Sequence, residues 1–241
     1  MRKLTLAVLA AGAALVGPAL AADMPFYPPI VEIPDVDYGY TGSFYLRGSA
    51  GLNAMWAKQV SHPTATPSSY AVDGFGYGYS YGIGAGFETG TGLRFDVTGD
   101  LLRNEGMRAT IDNGAGPLVN GVHTLSLRSS VVLANAYYDV GFGDGYSAAG
   151  GPFGYIGGGA GVAFNDHTVT DPNGATTSAT NTSFAAAGMA GLGYDFGQVV
   201  ADIGYRALYI HSIDNPTAAF PYSADNNWVH EVRGTVRYRF N

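Results

Sequence analysis

The sequence predicts an all-β fold: an eight-stranded antiparallel up-and-down transmembrane β-barrel. Three observations predict it. The last strand sets Val232, Gly234, Val236, Tyr238 and Phe240 on one face and Arg233, Thr235, Arg237 and Arg239 on the other, because successive side chains alternate. Seven earlier segments repeat this split between an apolar and a polar face. Charged residues make up only 13% of the chain, whereas Gly (36 of 241 residues) and aromatics (13%) are abundant; an ordinary soluble domain carries about 25% charged residues. Oil on one side and charge on the other suits a barrel turned inside out, with lipid outside and a polar lumen inside.

The N-terminus reads as an export signal. Arg2 and Lys3 precede an apolar run, Leu4 to Val16, that Gly17-Pro18 breaks before Ala19-Leu20-Ala21. The run is too short for a helical span and fits a secretory signal peptide over 1–21, cleaved after 21 or 22. Residues 22–41 hold prolines and acids and predict an extended periplasmic leader, since proline resists regular pairing. The barrel is expected over 42–241. No later stretch offers roughly 18 uninterrupted apolar residues for a helical span. The absence of Cys leaves an exported chain without a disulfide framework. Removing Arg2 and Lys3 leaves 10 basic against 19 acidic residues, which argues against a nucleic-acid partner.

The elements follow in order. Segment 43–57 turns Phe44, Leu46, Ala50, Leu52, Ala54 and Trp56 one way and Tyr45, Arg47, Ser49 and Asn53 the other. Segment 76–88 alternates aromatics with glycines and ends on Glu88. Segment 92–103 sets Leu93, Phe95, Val97 and Leu101 against Arg94, Asp96, Thr98 and Asp100. In segment 123–142 the apolar parity changes between Leu127 and Val132, which predicts a β-bulge near Arg128 to Val131. Segments 152–164, 182–196 and 199–211 put Ile156, Phe164, Phe184, Phe196, Ile203 and Tyr209 outward, with Asp195, Asp202 and Arg206 inward. The last strand reaches back to about Trp228.

The connections alternate too. Long ones fall at about 58–75, 104–121, 165–181 and 213–227, short ones at about 89–91, 143–151 and 197–198. Four long external loops and short periplasmic turns, with both termini periplasmic, match the outer-membrane pattern. From Phe44 to Trp56 the strand runs about 40 Å at roughly 3.3 Å per residue. Tilted about 40°, it rises roughly 30 Å, enough for an apolar band of about 25 Å. Interface aromatics then form two belts: Phe44, Phe87 and Phe196 at the inner end, and Trp56, Tyr77, Phe164, Tyr209 and Trp228 at the outer end. Aromatics favour strands in general, but that preference does not produce two levels.

The inward faces collect seven acids, Glu88, Asp96, Asp100, Asp139, Asp195, Asp202 and Glu231, and seven arginines, Arg47, Arg94, Arg128, Arg206, Arg233, Arg237 and Arg239. An eight-stranded barrel is narrow enough to be filled by side chains, so these predict a salt-bridged core in a lumen that needs no apolar filling. Inward glycines would make room for large Arg and Tyr side chains. The matched arginines make a carboxylate-based catalytic site the weaker reading. No histidine pair has H-x-x-x-H spacing, and turn chemistry accounts for Asp166-His167 with Asp171; no metal, cofactor or catalytic residue is expected. His123 with Ser126 and His211 with Ser212 are the best material for a hydrolase.

At these residues the chain resembles the small outer-membrane β-barrel surface antigens of alphaproteobacteria, within the wider opacity-type and OmpA-like membrane-domain group. Ala21-Ala22-Asp23-Met24-Pro25, Asn135-Ala136-Tyr137-Tyr138-Asp139, Gly204-Tyr205-Arg206 and His230-Glu231-Val232-Arg233 leading to Arg237-Tyr238-Arg239-Phe240 carry the likeness. The resemblance implies an integral protein of the bacterial outer membrane with a C-terminal aromatic assembly signal, Tyr238 and Phe240, read by the barrel-assembly machinery. Asn241 departs from that pattern, which usually ends on its aromatic. Expected partners are outer-membrane lipid and lipopolysaccharide, with host or envelope proteins reached through the loops. A structural, surface-exposed envelope role comes first. A narrow porin-like channel and a membrane-embedded lipid-A-modifying enzyme stand as alternatives, and a soluble lipocalin-like carrier would need the reverse polarity.

Overall fold

A computed structural model describes residues 42–63, 65, 67–114, 116, 118–142, 150–215 and 221–240. The expected signal peptide, leader and Asn241 lie outside the described residues, as does most of the 143–151 connection. Among the described residues there are ten strands: β1 (Ser43–Trp56), β2 (Gln59–Ser61), β3 (Ser69–Gly74), β4 (Gly76–Glu88), β5 (Leu93–Ile111), β6 (Gly121–Gly141), β7 (Gly151–Thr170), β8 (Thr176–Asp195), β9 (Val199–Asn215) and β10 (Tyr222–Phe240).

Eight of them close a ring. Each long strand pairs antiparallel with the next, from β4 through β5, β6, β7, β8 and β9 to β10, and β1 pairs with both β4 and β10. Closure leaves no free edge. The eight-strand expectation therefore holds, with two short strands added. β2 continues the line of β1 and pairs with β10, while β3 precedes β4 and pairs with β5, so the first long loop extends the wall as a second hairpin. Below, the proximal end is where β1 begins and β10 finishes; the distal end is opposite.

Polarity is inverted, as the alternation requires. Leu52 (74% exposed), Ile83 (76%), Phe44 (68%) and Phe196 (67%) face outward, whereas Arg206 (1%) and Arg237 (0%) are buried within. The outward glycine at Gly99 would meet nothing if given a Cβ. Inward glycines are different. A Cβ on Gly157 would come within 2.3 Å of the Tyr137 ring, on Gly86 within 2.6 Å of Tyr45, and on Gly204 within 2.1 Å of the Tyr155 hydroxyl oxygen. The expected trade of small for large residues inside the barrel is present.

Three expectations need correction. First, the strands overrun their predicted distal ends. β7 and β8 pair out to Thr170 and Thr176, through Thr- and Ser-rich sequence with no apolar face to mark it; their turn holds Gly174 at φ 83°. Second, β6 pairs with β7 in one unbroken register, so there is no bulge at Arg128 to Val131. Leu125, Leu127, Val131 and Leu133 all point inward and are buried. The register shift lies instead in β5, between Asn104 and Met107, where Gly106 takes φ 87°. Inward positions there change from Leu102 and Asn104 to Met107, Ala109 and Ile111. Third, Arg128 does not join the lumen. With β6 unbroken, its even-numbered position faces outward and is exposed.

A further change of facing involves Asn226, at φ 57°, a conformation Asn tolerates better than most residues. On either side of it both Ala224 and Asn227 are buried. The Asn227 side-chain amide braces the site by donating to the carbonyls of Ile210 (3.3 Å) and Ala224 (2.6 Å).

Candidate functional site: a lumen filled in two ways

The proximal and middle lumen is an ion-pair lattice built from strand registers. Arg94 on β5 grips Asp139 on β6 with two parallel bonds, Nε to Oδ2 at 3.0 Å and Nη2 to Oδ1 at 2.9 Å. That bidentate geometry is what a planar guanidinium provides. Arg237 reaches Glu88 at 2.5 Å, and Arg239 bonds both Glu88 (2.7 Å) and Asp195 (2.6 Å). One layer further in, Arg206 bonds Asp100 (2.7 Å) and Glu231, while Arg233 bonds Asp100 (2.6 Å) and Ser49. Arg47 pairs with Asp96 at 2.9 Å. Asp202, 4.0 Å from Arg237, accepts from the Tyr155 hydroxyl at 3.1 Å.

Thirteen of the fourteen expected lumen residues are thus brought together, and Arg128 is excluded. The tyrosines are the part the charge census undervalued. Tyr45 donates to Asp96 (2.9 Å), Tyr137 accepts from Arg47 (2.8 Å), and the Arg94 guanidinium stacks 4.0 Å above the Tyr137 ring. Arg237 lies over Tyr45 and Phe153 at 5.7 and 5.5 Å, which suits two of its nitrogens that lack hydrogen-bond partners. Asn135 completes the shell by donating to Asp96 at 2.7 Å. Tyr45, Tyr137 and Asn135 could be found from parity; Phe153 could not, because an apolar ring reads as outward.

The distal lumen is apolar. Met55, Leu102, Leu127, Leu133, Leu208 and Ile210 are fully buried in one cluster that also holds Val131, Ile213 and Val229. Some polar groups there pair with one another: Asn104 donates to Asn53 (2.7 Å), and Ser129, Asn165 and Ser183 form a chain at 2.8 and 3.1 Å; the buried His167 ring instead packs edge-on against Tyr222 at 5.5 Å. This overturns the expectation that the lumen needs no apolar filling.

The interface aromatics face outward as expected. Phe44 packs edge-on against Phe87 at 5.0 Å and Tyr238 edge-on against Phe240 at 5.3 Å, while Tyr209 lies tilted against Trp228 at 5.2 Å. Trp56 pairs in register with Trp228, and Tyr77 and Phe164 are exposed. The candidate hydrolase pairs do not assemble. His123 bonds the Val119 carbonyl (2.8 Å), and Ser126 lies three residues away on the opposite strand face. His211 contacts the Tyr209 hydroxyl, whereas Ser212 donates to Asp214. Asp171 accepts from the backbone of Asn173 (2.9 Å) and Ala175 (2.8 Å), the turn role expected of it.

Above the apolar cluster lies a cavity of about 170 Å³. On the outer surface, Arg128 faces Arg103 across one pairing and Asp166 across the other. Tyr79, Tyr81 and Phe164 line the same shallow groove.

No family model and no curated protein matches the chain. Among solved structures it is similar to Neisserial surface protein A, at 22% identity over 83% of this chain and 99% of that one, with a TM-score of 0.47. It is also similar to the outer membrane protein OprG from Pseudomonas aeruginosa (16% identity, 84% and 98% covered, TM-score 0.45). Ail, the attachment invasion locus protein of Yersinia pestis, aligns at 16% identity over 82% and 99%, with a TM-score of 0.39. The barrel assignment above rests on the strand pairing itself.

Proposed function

We propose that the chain is an integral outer-membrane barrel with a closed lumen, serving as a structural and surface-exposed envelope protein. The observation that carries this reading is the pairing of an inverted exterior with a doubly filled interior. A ring whose outward side chains include Leu52, Ile83 and Phe44 has no stable place in water, since so large an apolar surface marks a membrane or partner contact. An interior closed by ion pairs at one end and by Leu127, Leu133 and Leu208 at the other leaves little room for a continuous water path.

The outward pair Arg103 and Arg128 supports contact with the anionic headgroups of lipopolysaccharide. Like charges directly opposite destabilise a sheet. Glu105 engages Arg103 at 2.6 Å and Asp166 lies opposite Arg128; a lipid phosphate beside the two arginines would add to that relief.

Reconstitution tests the reading. The purified chain in lipid vesicles should run as a compact, heat-modifiable band and give no single-channel current in a planar bilayer. Steady conductance steps would replace the closed-barrel reading with the channel. Failure to insert would remove the membrane assignment itself.

A further inference from the structure

The cavity above the apolar cluster lies between two packed groups: the cluster that closes the distal lumen, and a smaller one of Ala65, Tyr70 and Ile111, with Leu118 against it, in the loop head. We propose that it is a binding site for a small apolar molecule of about the size of a monocyclic aromatic, carrying at most one hydrogen-bonding group. This goes beyond the envelope role above and does not depend on it.

Size and lining carry the argument. At about 170 Å³, the space is close in size to the apolar cavities of about 150 Å³ that take up benzene or xenon. Val60, Val72, Met107, Leu125 and Val169 form much of its wall, and Met is the side chain that adapts best to an irregular guest. Of its polar lining, Arg108 is exposed, and two other groups are already engaged. His123 bonds the Val119 carbonyl, and Asp171 accepts from its own turn. Burial pushes the His62 imidazole below its ordinary pKa, which keeps it neutral. The Tyr222 hydroxyl is buried without a hydrogen-bond partner. A phenol is neutral near pH 7, so it is a donor suited to one acceptor on the guest. Beneath the cavity, Met107, Leu125 and Ala224 belong to the closing cluster, so a guest would be held rather than passed through.

The methionines give a local readout. Met107 lines the cavity, whereas Met55 and Met189 do not, Met55 lying in the closing cluster and Met189 beside Tyr137. The chain, carrying ¹³C-methyl methionine and folded in deuterated micelles, would be titrated with toluene. The expected result is a saturable shift of the Met107 methyl, with Met55 and Met189 unmoved. Ala109→Phe, which fills the lining, should abolish it while leaving the Met55 and Met189 signals in place. A shift that grows linearly without saturation, or equally at Met107, Met55 and Met189, overturns the proposal. So does cross-relaxation from Met107 to detergent chains before toluene is added, because an acyl chain is then the occupant. Should Ala109→Phe fail to fold, the wild-type titration alone decides. As a second arm, acetophenone should bind about threefold to tenfold more tightly than toluene, the gain of one hydrogen bond. Tyr222→Phe should erase that difference; equal affinities in the wild-type chain would remove Tyr222 from the site.

Discussion

The two ends of the lumen solve the same packing problem with opposite chemistry. Near the proximal end, Arg94, Arg237 and Arg239 meet Asp139, Glu88 and Asp195. Near the distal end, Leu127, Leu133, Leu208 and Ile210 pack with no charge among them. A buried ion pair gains Coulomb energy but loses hydration, so it contributes little net stability over an apolar core of the same volume. Its value lies in direction, since each guanidinium accepts few geometries and so fixes strand register. The apolar end has no such directionality and is stabilised by area removed from water. The contrast teaches that alternation decides which side chains face inward but not what they must be.

The largest effect should come from breaking the ion lattice on one side only. Asp100 accepts from both Arg206 and Arg233. Asp100→Ala leaves two buried guanidinium groups short of a partner and should cost about 3–5 kcal/mol, read by urea unfolding in lipid vesicles. Replacing Arg94 and Asp139 together by Met and Leu should cost far less than either single change. A double variant as damaged as the singles would mean that the lattice stabilises outright. Next comes the apolar end: Leu208→Ala should cost about 2–5 kcal/mol, because the closed barrel around it collapses poorly into a void. A change within experimental error would show that the distal cluster is loosely packed.

The difference between the ends also explains what was legible in the sequence. Charged residues in a strand have one sensible direction in an inverted barrel, so parity alone puts Arg47, Asp96, Arg206 and Glu231 inside, where they are buried. Apolar residues have two, lipid or core. Alternation counted from the apolar residues puts Leu125 and Leu127 outward and then needs a bulge to restore parity, which wrongly carries Arg128 inside. The true register shift sits at Gly106 in β5, in a stretch read as loop. The distal extensions of β7 and β8 were hidden for a related reason: their Thr and Ser residues give no contrast between faces. The cavity was not legible at all, since it is lined by residues from several strands and loops that meet only in three dimensions.

Glycines offer a smaller test of the two surfaces. Gly157 lies against the Tyr137 ring, so Gly157→Ala must displace a side chain that holds Arg47 and stacks on Arg94. Overpacking of this kind costs about 1–3 kcal/mol. Gly99→Ala on the outer face meets nothing within 4 Å and should be neutral or slightly stabilising. Equal losses at both positions would indicate a backbone requirement rather than the inward packing described here.

The smallest effect is expected at Arg128, and it separates the corrected structure from the sequence reading most cleanly. Were Arg128 in the lattice, Arg128→Ala would leave a buried carboxylate unpaired and cost several kcal/mol. On the outer face the change removes one exposed guanidinium opposite Arg103 and should alter stability by about 1 kcal/mol or less, the range for charged side chains near a membrane interface. Relief of the like-charge pair acts in the stabilising direction. The same variant should weaken retention of lipopolysaccharide during purification, with a larger drop when Arg103→Ala is added. Comparing Arg128→Ala with Arg206→Ala in one unfolding series decides the matter: a wide gap follows from the outward placement, and matching losses would return Arg128 to the lumen.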